Sequence, residues 1–214
     1  SSLSATQVQY FSFLTIFFLA LSFSTSQAQN HSLSFDRTDD QVQTTFPGVL
    51  GGADRTFEAW VNVAASAPSA NLCIIDYGRN AALSRNTFVV RGNRGISFIS
   101  GGANLGSTAS NLIPDNQWKH VAFVLDNGIG FLYVDGVQVG TGNISTVNTP
   151  SGFANVTIGE RVSGGSIRFG GLLDEVRIWN VARSAAQIAG NRNTELTGTE
   201  SGLVAYYKFD EDQA

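Results

Sequence analysis

The sequence predicts an all-β protein, a two-sheet antiparallel jelly-roll sandwich with one short helix near residues 184–190. The clearest observation is the stretch 118–137, in which apolar and β-branched runs stop at Asn127-Gly128 and again at Asp135-Gly136. These dipeptides accept the positive φ angles of tight two-residue turns, so the stretch is typical of consecutive hairpin strands.

A second stretch, residues 169–179, is an apolar strand that leads towards the start of a helix. Ser184 is a residue type that caps helix N-termini, which predicts a helical turn from there to about Ala189. Gly190 is predicted to end that turn. The helical content of the chain is therefore expected to be small.

The composition favours the same fold class. The chain has 214 residues, enough for one domain of sandwich size, and 43% of them are hydrophobic. Only 14% are charged, while 23 Gly and 15 Phe suit many short strands joined by tight turns. The net charge of -4 leaves no basic patch, which excludes nucleic acid as an expected partner.

Short apolar runs recur between turn residues along the chain, which is the pattern of a sandwich or jelly roll. Three tryptophans fall on these runs, Trp60, Trp118 and Trp179, and each is expected to pack in the core because it buries a large area. The predicted strands are 32–35, 42–44, 55–63, 72–77, 87–91, 95–100, 118–126, 130–134, 137–140, 154–159, 166–179 and 203–209.

The N-terminal segment, residues 1–28, contains an apolar block of 13 residues at 11–23, followed by Ser26-Gln-Ala28. The block is too short to span a membrane, and the pattern is typical of a secretory signal with a cleavage site after Ala28. Two interpretations stay open: a removed export signal, or a retained apolar strand that pairs with a neighbouring molecule. Residues 29–214 are predicted to form one domain.

Six sequence blocks, taken together and in order, resemble the laminin-G-like, concanavalin A-like jelly-roll family, and in particular its pentraxin-related bacterial branch. The resemblance covers residues 31–212 and departs at Arg37, where the family often has Gly. The blocks are Leu33-Ser-Phe-Asp36 with Asp39-Asp-Gln-Val42, Thr56-Phe-Glu-Ala-Trp-Val61, Trp118-Lys-His-Val-Ala122, Leu132-Tyr-Val-Asp-Gly136, Phe169-Gly-Gly-Leu-Leu-Asp-Glu-Val-Arg-Ile-Trp179 with Ser184 to Ile188, and Val204-Ala-Tyr-Tyr-Lys-Phe-Asp210.

The resemblance implies adjacent first and last strands, and it implies a binding or spacer function, often with calcium. Calcium takes six to eight oxygen ligands, and acidic residues stand close to both strands. We therefore expect a Ca²⁺ site where these two groups converge, with solvated turn acids as the alternative. The candidate ligands are Asp36, Asp39, Asp40, Asp174 and Asp210.

The catalytic groups of related glycosidases are missing from the sequence. Those enzymes place an acid and a nucleophile at alternating strand positions, whereas Asp174 and Glu175 are adjacent and are expected to face opposite sides. The chain has two histidines, His31 and His120, and His120 is expected to make a hydrogen bond at a strand end. No nucleophile, zinc, phosphate-loop or dinucleotide motif appears. The sequence predicts a protein that is not an enzyme.

We therefore expect a secreted or cell-surface recognition module without a transmembrane anchor, which binds glycan or extracellular protein through loops at one sheet edge. The loop residues selected as ligand contacts are Arg79, Asn80, Arg91, Asn93 and Arg94. The alternative is a structural subunit of an extracellular fibre or coat, self-associating by N-terminal strand addition. Asn30, Asn143 and Asn155 begin glycosylation acceptor triplets.

Overall fold

The structure, a computed structural model, describes residues 31–161 and 167–210. The N-terminal segment 1–28 and Asn30 lie outside the described residues. The strands are β1 (Leu33–Asp36), β2 (Val42–Gln43), β3 (Arg55–Val63), β4 (Leu72–Gly78), β5 (Arg85–Val90), β6 (Ile96–Ile99), β7 (Leu105–Gly106), β8 (Trp118–Asp126), β9 (Ile129–Val134), β10 (Val137–Asn143), β11 (Ala154–Ile158), β12 (Gly170–Trp179) and β13 (Leu203–Tyr207), with one helix, α1 (Ala185–Asn191), between β12 and β13.

The strands form two antiparallel sheets that pack face to face, as the sequence predicted. The seven-stranded sheet has the order β1-β12-β3-β8-β9-β10, and β13 also pairs with β12. The six-stranded sheet has the order β2-β11-β4-β5-β6-β7. Each predicted strand corresponds to an observed one, while the two-residue β7 was missed because it is too short to show a period.

The core lies between the sheets and follows the alternation of strand side chains. In β3, Phe57, Ala59 and Val61 are fully buried in it, while Glu58 and Trp60 lie on the opposite, outer face. Stacked and tilted phenylalanine rings fill the centre, such as Phe98 and Phe123 at 4.0 Å between ring centroids. This alternation gives each sheet one apolar inner face and one outer face.

The outer face of the seven-stranded sheet is covered by α1 and its flanks. Ile188 of the helix is fully buried against Ala122, Val124 and Tyr133. Ser184 caps the helix and exchanges hydrogen bonds with Gln187, as a capping box does. Within the described residues, no helix covers the outer face of the six-stranded sheet.

Two expectations about local structure were wrong. Gly190 does not end the helix, which continues to Asn191. The three tryptophans do not join the core between the sheets: Trp179 is buried on the outer face beneath the Arg183 guanidinium, 3.8 Å from its ring centroid, and Trp60 and Trp118 are half-buried. The indole N–H of Trp60 donates to the Arg192 carbonyl at 2.9 Å. Trp60 and Trp179 therefore contact the segments that flank α1 and not the core between the sheets.

Candidate functional site

The connection between β4 and β5 carries the most exposed of the predicted ligand residues. Arg79 and Asn80 are both exposed. The register of β11 on β4 pairs Ala154 with Gly78, which brings Phe153 opposite Arg79. The guanidinium carbon of Arg79 lies 5.1 Å from the centroid of the Phe153 ring, a cation–π contact.

Phe153 is an unusual surface residue because 47% of its side chain stays exposed despite this contact. Arg85, the first residue of β5, donates a hydrogen bond from Nη2 to the Asn80 side-chain oxygen. These four residues, Arg79, Asn80, Arg85 and Phe153, form what we call the rim surface. It combines an open aromatic face with cations and an amide.

The rim surface continues onto the outer face of the six-stranded sheet. Asn86 and Phe88 point inwards, so the alternation of β5 places Arg85 and Thr87 on the outer face. Thr87 donates to the carboxylate of the buried Asp76 on the neighbouring strand. A half-buried arginine, Arg161, follows β11 in the chain.

The charges on this face influence one another. Burial lowers the pKa of the Arg85 guanidinium, the positive charge of Arg161 lowers it further, and the charge of Asp76 raises it. The Nε–H of Arg85 is buried and has no hydrogen-bond partner within the described residues. One donor of Arg85 therefore has no acceptor among the described residues.

The other predicted contacts lie elsewhere, which corrects the expectation of one sheet edge. The turn between β5 and β6 contains Arg91, Asn93 and Arg94. It lies at the opposite end of β5 from Arg85, and the six extended residues of that strand span about 20 Å. Arg94 donates to Asp115 at 2.6 Å and to the Ala67 carbonyl.

The polar groups of the remaining two turn residues are also engaged within the protein. Asn93 accepts from the Gly95 N–H at 3.1 Å, and Arg91 donates to the Ser107 carbonyl at 3.2 Å. These contacts hold the turn in shape. The turn and the rim surface are therefore two separate places on the six-stranded sheet.

Only part of the predicted calcium ligand set converges. Asp36, Asp39 and Asp40 place one carboxylate oxygen each within 4.8 Å of one another. Hydrogen bonds hold this turn: Asp40 accepts from the Asp36 N–H at 2.7 Å, and Asp36 accepts from the Thr38 N–H at 2.6 Å. The Thr38 bond lowers the pKa of Asp36 below its usual value.

Asp174 and Asp210 stand at the other end of β1. Asp36 pairs with Gly170, whereas Leu33 pairs with Leu173, just before Asp174. Those three steps along the strand correspond to about 10 Å. The first and last strands, β1 and β13, both pair with β12, one after the other along its length. The two acidic groups nevertheless lie at opposite ends of β1.

The bulge in β12 overturns the expectation that Asp174 and Glu175 face opposite sides. The register on β3 shifts between Asp174 and Arg177, and Glu175 has φ +50°, as in a β-bulge. Leu173 and Val176 both face the core, so the two acids lie together on the other side. Glu175 accepts hydrogen bonds from Arg177 and from the Tyr206 hydroxyl, the latter at 2.6 Å.

His120 has a different role from the one expected. Its ring is buried, and its Nε2 lies 3.3 Å from the carboxylate of Glu58, which Arg183 approaches at 3.4 Å from the other oxygen. Burial raises the pKa of Glu58, but the neighbouring His120 and the charges of Arg177 and Arg183 outweigh it and lower the pKa overall. This ion-pair cluster fixes the segment leading into α1.

Two glycosylation candidates can be placed. Asn143 and Asn155 are both exposed. The Asn143 side-chain oxygen accepts from the Ser145 N–H at 3.1 Å and from its hydroxyl at 2.8 Å. Both residues are open to solvent, and their glycosylation stays a prediction.

The family model that matches this chain describes the concanavalin A-like lectin/glucanases superfamily (Laminin_G_3), over residues 36–189. The chain belongs to this family. A comparison with curated proteins gave no significant match. As a Laminin_G_3 domain, the protein has the fold that its sequence blocks implied.

Solved structures agree with the Laminin_G_3 fold. A candidate carbohydrate-binding protein from Bacteroides ovatus is 23% identical with a TM-score of 0.69, and the match covers 85% of this chain. The chain spans about half of that protein, 52%. The heptameric SAP-like pentraxin of Limulus polyphemus is 16% identical with a TM-score of 0.54, covering 75% of this chain and 80% of the pentraxin.

A third structure is the CBM40 module of the Ruminococcus gnavus IT-sialidase, 12% identical with a TM-score of 0.58. The match covers 76% of this chain and 96% of that module. At these identities the likeness establishes the fold. Within residues 31–161 and 167–210 of the Laminin_G_3 domain, no helix has both the length and the apolar character to cross a membrane.

Proposed function

We propose that the protein is a secreted, non-catalytic recognition module that binds glycans at the rim surface. The single observation that carries this proposal is the exposed Phe153 ring beside Arg79 and Asn80. Sugar rings present apolar C–H faces that stack on aromatic rings and hydroxyls that bind guanidinium and amide groups. A rigid sheet supports these residues, which limits the entropy lost on binding.

The comparisons support the choice of ligand class. Of the similar structures, one is a candidate carbohydrate-binding protein and another is a carbohydrate-binding module of a sialidase. The absence of the alternating carboxylate motif from the sequence supports a module without catalysis. The acids that the bulge brings together, Asp174 and Glu175, are both buried.

The test is a glycan array, followed by titration calorimetry with the best ligand. Phe153→Ala should weaken binding about tenfold, since the aromatic stacking would be lost. Val137→Ala is the matched control, because Val137 is an exposed apolar residue of the other sheet and should leave affinity unchanged. Equal affinities of the two variants, or new reducing ends released from the bound glycan, would refute the proposal.

We propose calcium assistance as a separate part of this function, with Asp36, Asp39 and Asp40 as ligands. Their close carboxylates support it, because Ca²⁺ prefers such oxygens. Calcium at millimolar concentration should raise the melting temperature of the protein, and Asp39→Asn should abolish the rise. A melting temperature that is the same with calcium and with chelator would exclude the site.

A further inference from the structure

Residues 181–200, which include α1, lie over the outer face of the seven-stranded sheet, and we call this segment the strap. Its two ends meet, because the Asn180 N–H donates to the Gly202 carbonyl at 2.9 Å. This bond lies beside the pairing of Trp179 with Leu203, where β12 ends and β13 begins. The strap is therefore a closed loop that can leave the sheet while β12 and β13 stay paired.

Side chains hold the strap to the sheet. The Trp60 indole N–H donates to the Arg192 carbonyl at 2.9 Å. Arg177 donates to two further carbonyls of the strap, those of Asn191 and Thr194, at 3.1 and 2.7 Å. Among the described residues, no hydrogen bond between backbone groups joins the strap to a strand except at its ends. The hydrogen-bond ladders that hold neighbouring strands together have no counterpart here.

The closed strap buries little apolar surface of its own. Its buried residues are one arginine, Arg183, and two apolar residues, Ile188 and Leu196. Ile188 packs in a small cluster that is separate from the core between the sheets. Since the hydrophobic contribution to stability is roughly proportional to the apolar area buried, it holds the strap less firmly than it holds the two sheets together.

The closed strap also keeps charged groups away from water. Glu58 is fully buried beneath it, 3.3 Å from His120 and 3.4 Å from Arg183. Neither carboxylate oxygen of Glu58 has a hydrogen-bond partner in the part of the chain that the structure describes. Burial of an ion pair costs hydration free energy, which the attraction repays only in good geometry. Opening of the strap returns Glu58 and Arg183 to water, and this offsets part of the contacts that are lost.

We propose that the strap opens as a unit while the two sheets stay folded, and that the contact of Arg183 with Glu58 keeps it closed most of the time. Local openings of this kind occur where few apolar contacts hold a segment. Opening uncovers three aromatic side chains of the sheet that the closed strap contacts, namely Trp60, Tyr133 and Trp179. The strap therefore controls access to an aromatic face on the sheet that does not carry the rim surface.

Native-state hydrogen exchange of the protein, followed by NMR in increasing urea, tests the opening. Three strap amides with known acceptors report it: Arg183 on the Thr56 hydroxyl, Ile188 on the Ser184 carbonyl and Leu196 on the Tyr206 hydroxyl. We expect them to exchange roughly a hundredfold faster than the ladder amides of β3 and β8, with a weaker dependence on urea because opening exposes less surface than unfolding. Exchange at the rate and urea dependence of β3 would overturn the proposal.

Variants test the role of the ion pair. Glu58→Gln should speed the exchange of the strap amides roughly ten- to a hundredfold, because Arg183 then stays buried without its anion. Asp76→Asn is the matched control, since it neutralises an equally buried acid of the other sheet and should leave strap exchange unchanged even where it lowers global stability.

Arg183→Gln breaks the same contact from the side of the strap and should act in the same direction as Glu58→Gln, so the test stands if one of the two variants does not fold. Equal changes of strap exchange in Glu58→Gln and Asp76→Asn would refute the role of Glu58. Faster exchange in β3 and the strap alike would show that the contact stabilises the whole fold, which contradicts a separate opening.

Discussion

At the scale of the residue, Asp174 is the acid from which we expect a strong effect of pH on the stability of the fold. Burial raises the pKa of this carboxyl to about 7; the charges of Glu175 and Asp210 raise it as well, while the hydrogen bond from the Glu175 N–H opposes the rise. The folded protein therefore holds a proton that the unfolded chain releases near pH 4.

The sign of the pH dependence follows from this difference. Between about pH 4 and 7 the folded state binds more protons than the unfolded state, so the contribution of Asp174 to stability falls as pH rises through that window, by on the order of 2 kcal/mol after allowance for solvent. Asp174→Asn should abolish this contribution. Urea unfolding at pH 4.5 and 7.5 measures it, with the exposed Asp126→Asn as control. An unchanged difference between the two pH values would contradict the prediction.

At the scale of the element, the helix α1 contains a glycine whose replacement should stabilise the protein. Gly190 is exposed within the helix, and a Cβ added there would meet nothing within 4 Å. Gly190→Ala should raise the free energy of unfolding by about 0.5–1 kcal/mol, since alanine loses less backbone entropy. Chemical denaturation measures the change.

The other end of the same helix offers a comparison of opposite sign. Ser184→Ala removes the capping box and should lower the free energy of unfolding by about 1 kcal/mol. If Ser184→Ala and Gly190→Ala changed the free energy of unfolding in the same direction, the assigned roles of these two residues in the helix would be wrong.

Local sequence signals predicted the elements better than their ends. Asn127-Gly128 and Asp135-Gly136 adopt positive φ at both positions, as the dipeptides indicated. The end of α1 depends instead on distant donors: Arg177 Nη1 donates to the Asn191 carbonyl at 3.1 Å. The residues around Gly190 give no sign of that contact, so the sequence placed the end of the helix too early.

The candidate site shows the same division between local and long-range information. Arg79 and Asn80 were selected from the sequence as loop residues, whereas Phe153 was missed. Phe153 meets Arg79 only because β11 pairs with β4, and strand order in a sandwich is not encoded in neighbouring residues. Its position just before a predicted strand, as an aromatic flanked by small residues, was the available signal.

At the scale of the whole molecule, Arg55 joins the two sheets at one end of the sandwich. It is fully buried at the start of β3 and donates to the Val49 and Gly51 carbonyls, each at 2.7 Å. It also donates to Tyr77 and Asn86 of the six-stranded sheet, at 3.1 and 3.0 Å. A single guanidinium thus satisfies oxygens from loops and from the opposite sheet.

Arg55→Lys should lower the free energy of unfolding by about 2–4 kcal/mol, because an ammonium group cannot reach all of these buried oxygens. Arg79→Lys, at an exposed position, should change it little. Urea unfolding of the two variants makes the comparison, and equal stabilities would show that Arg55 does not hold the sheets together.

The shared edge of β12 has a consequence for how this domain can be attached to other chains. Leu33 pairs with Leu173 and Tyr207 pairs with Val176. The start of the first strand and the end of the last strand therefore lie about 10 Å apart along β12. Joining residue 210 to residue 31 by a short linker and opening the chain at another turn should therefore give a folded circular permutant. For the same reason the domain could be inserted into a loop of a host protein, tethered through its seven-stranded sheet with the six-stranded sheet facing away.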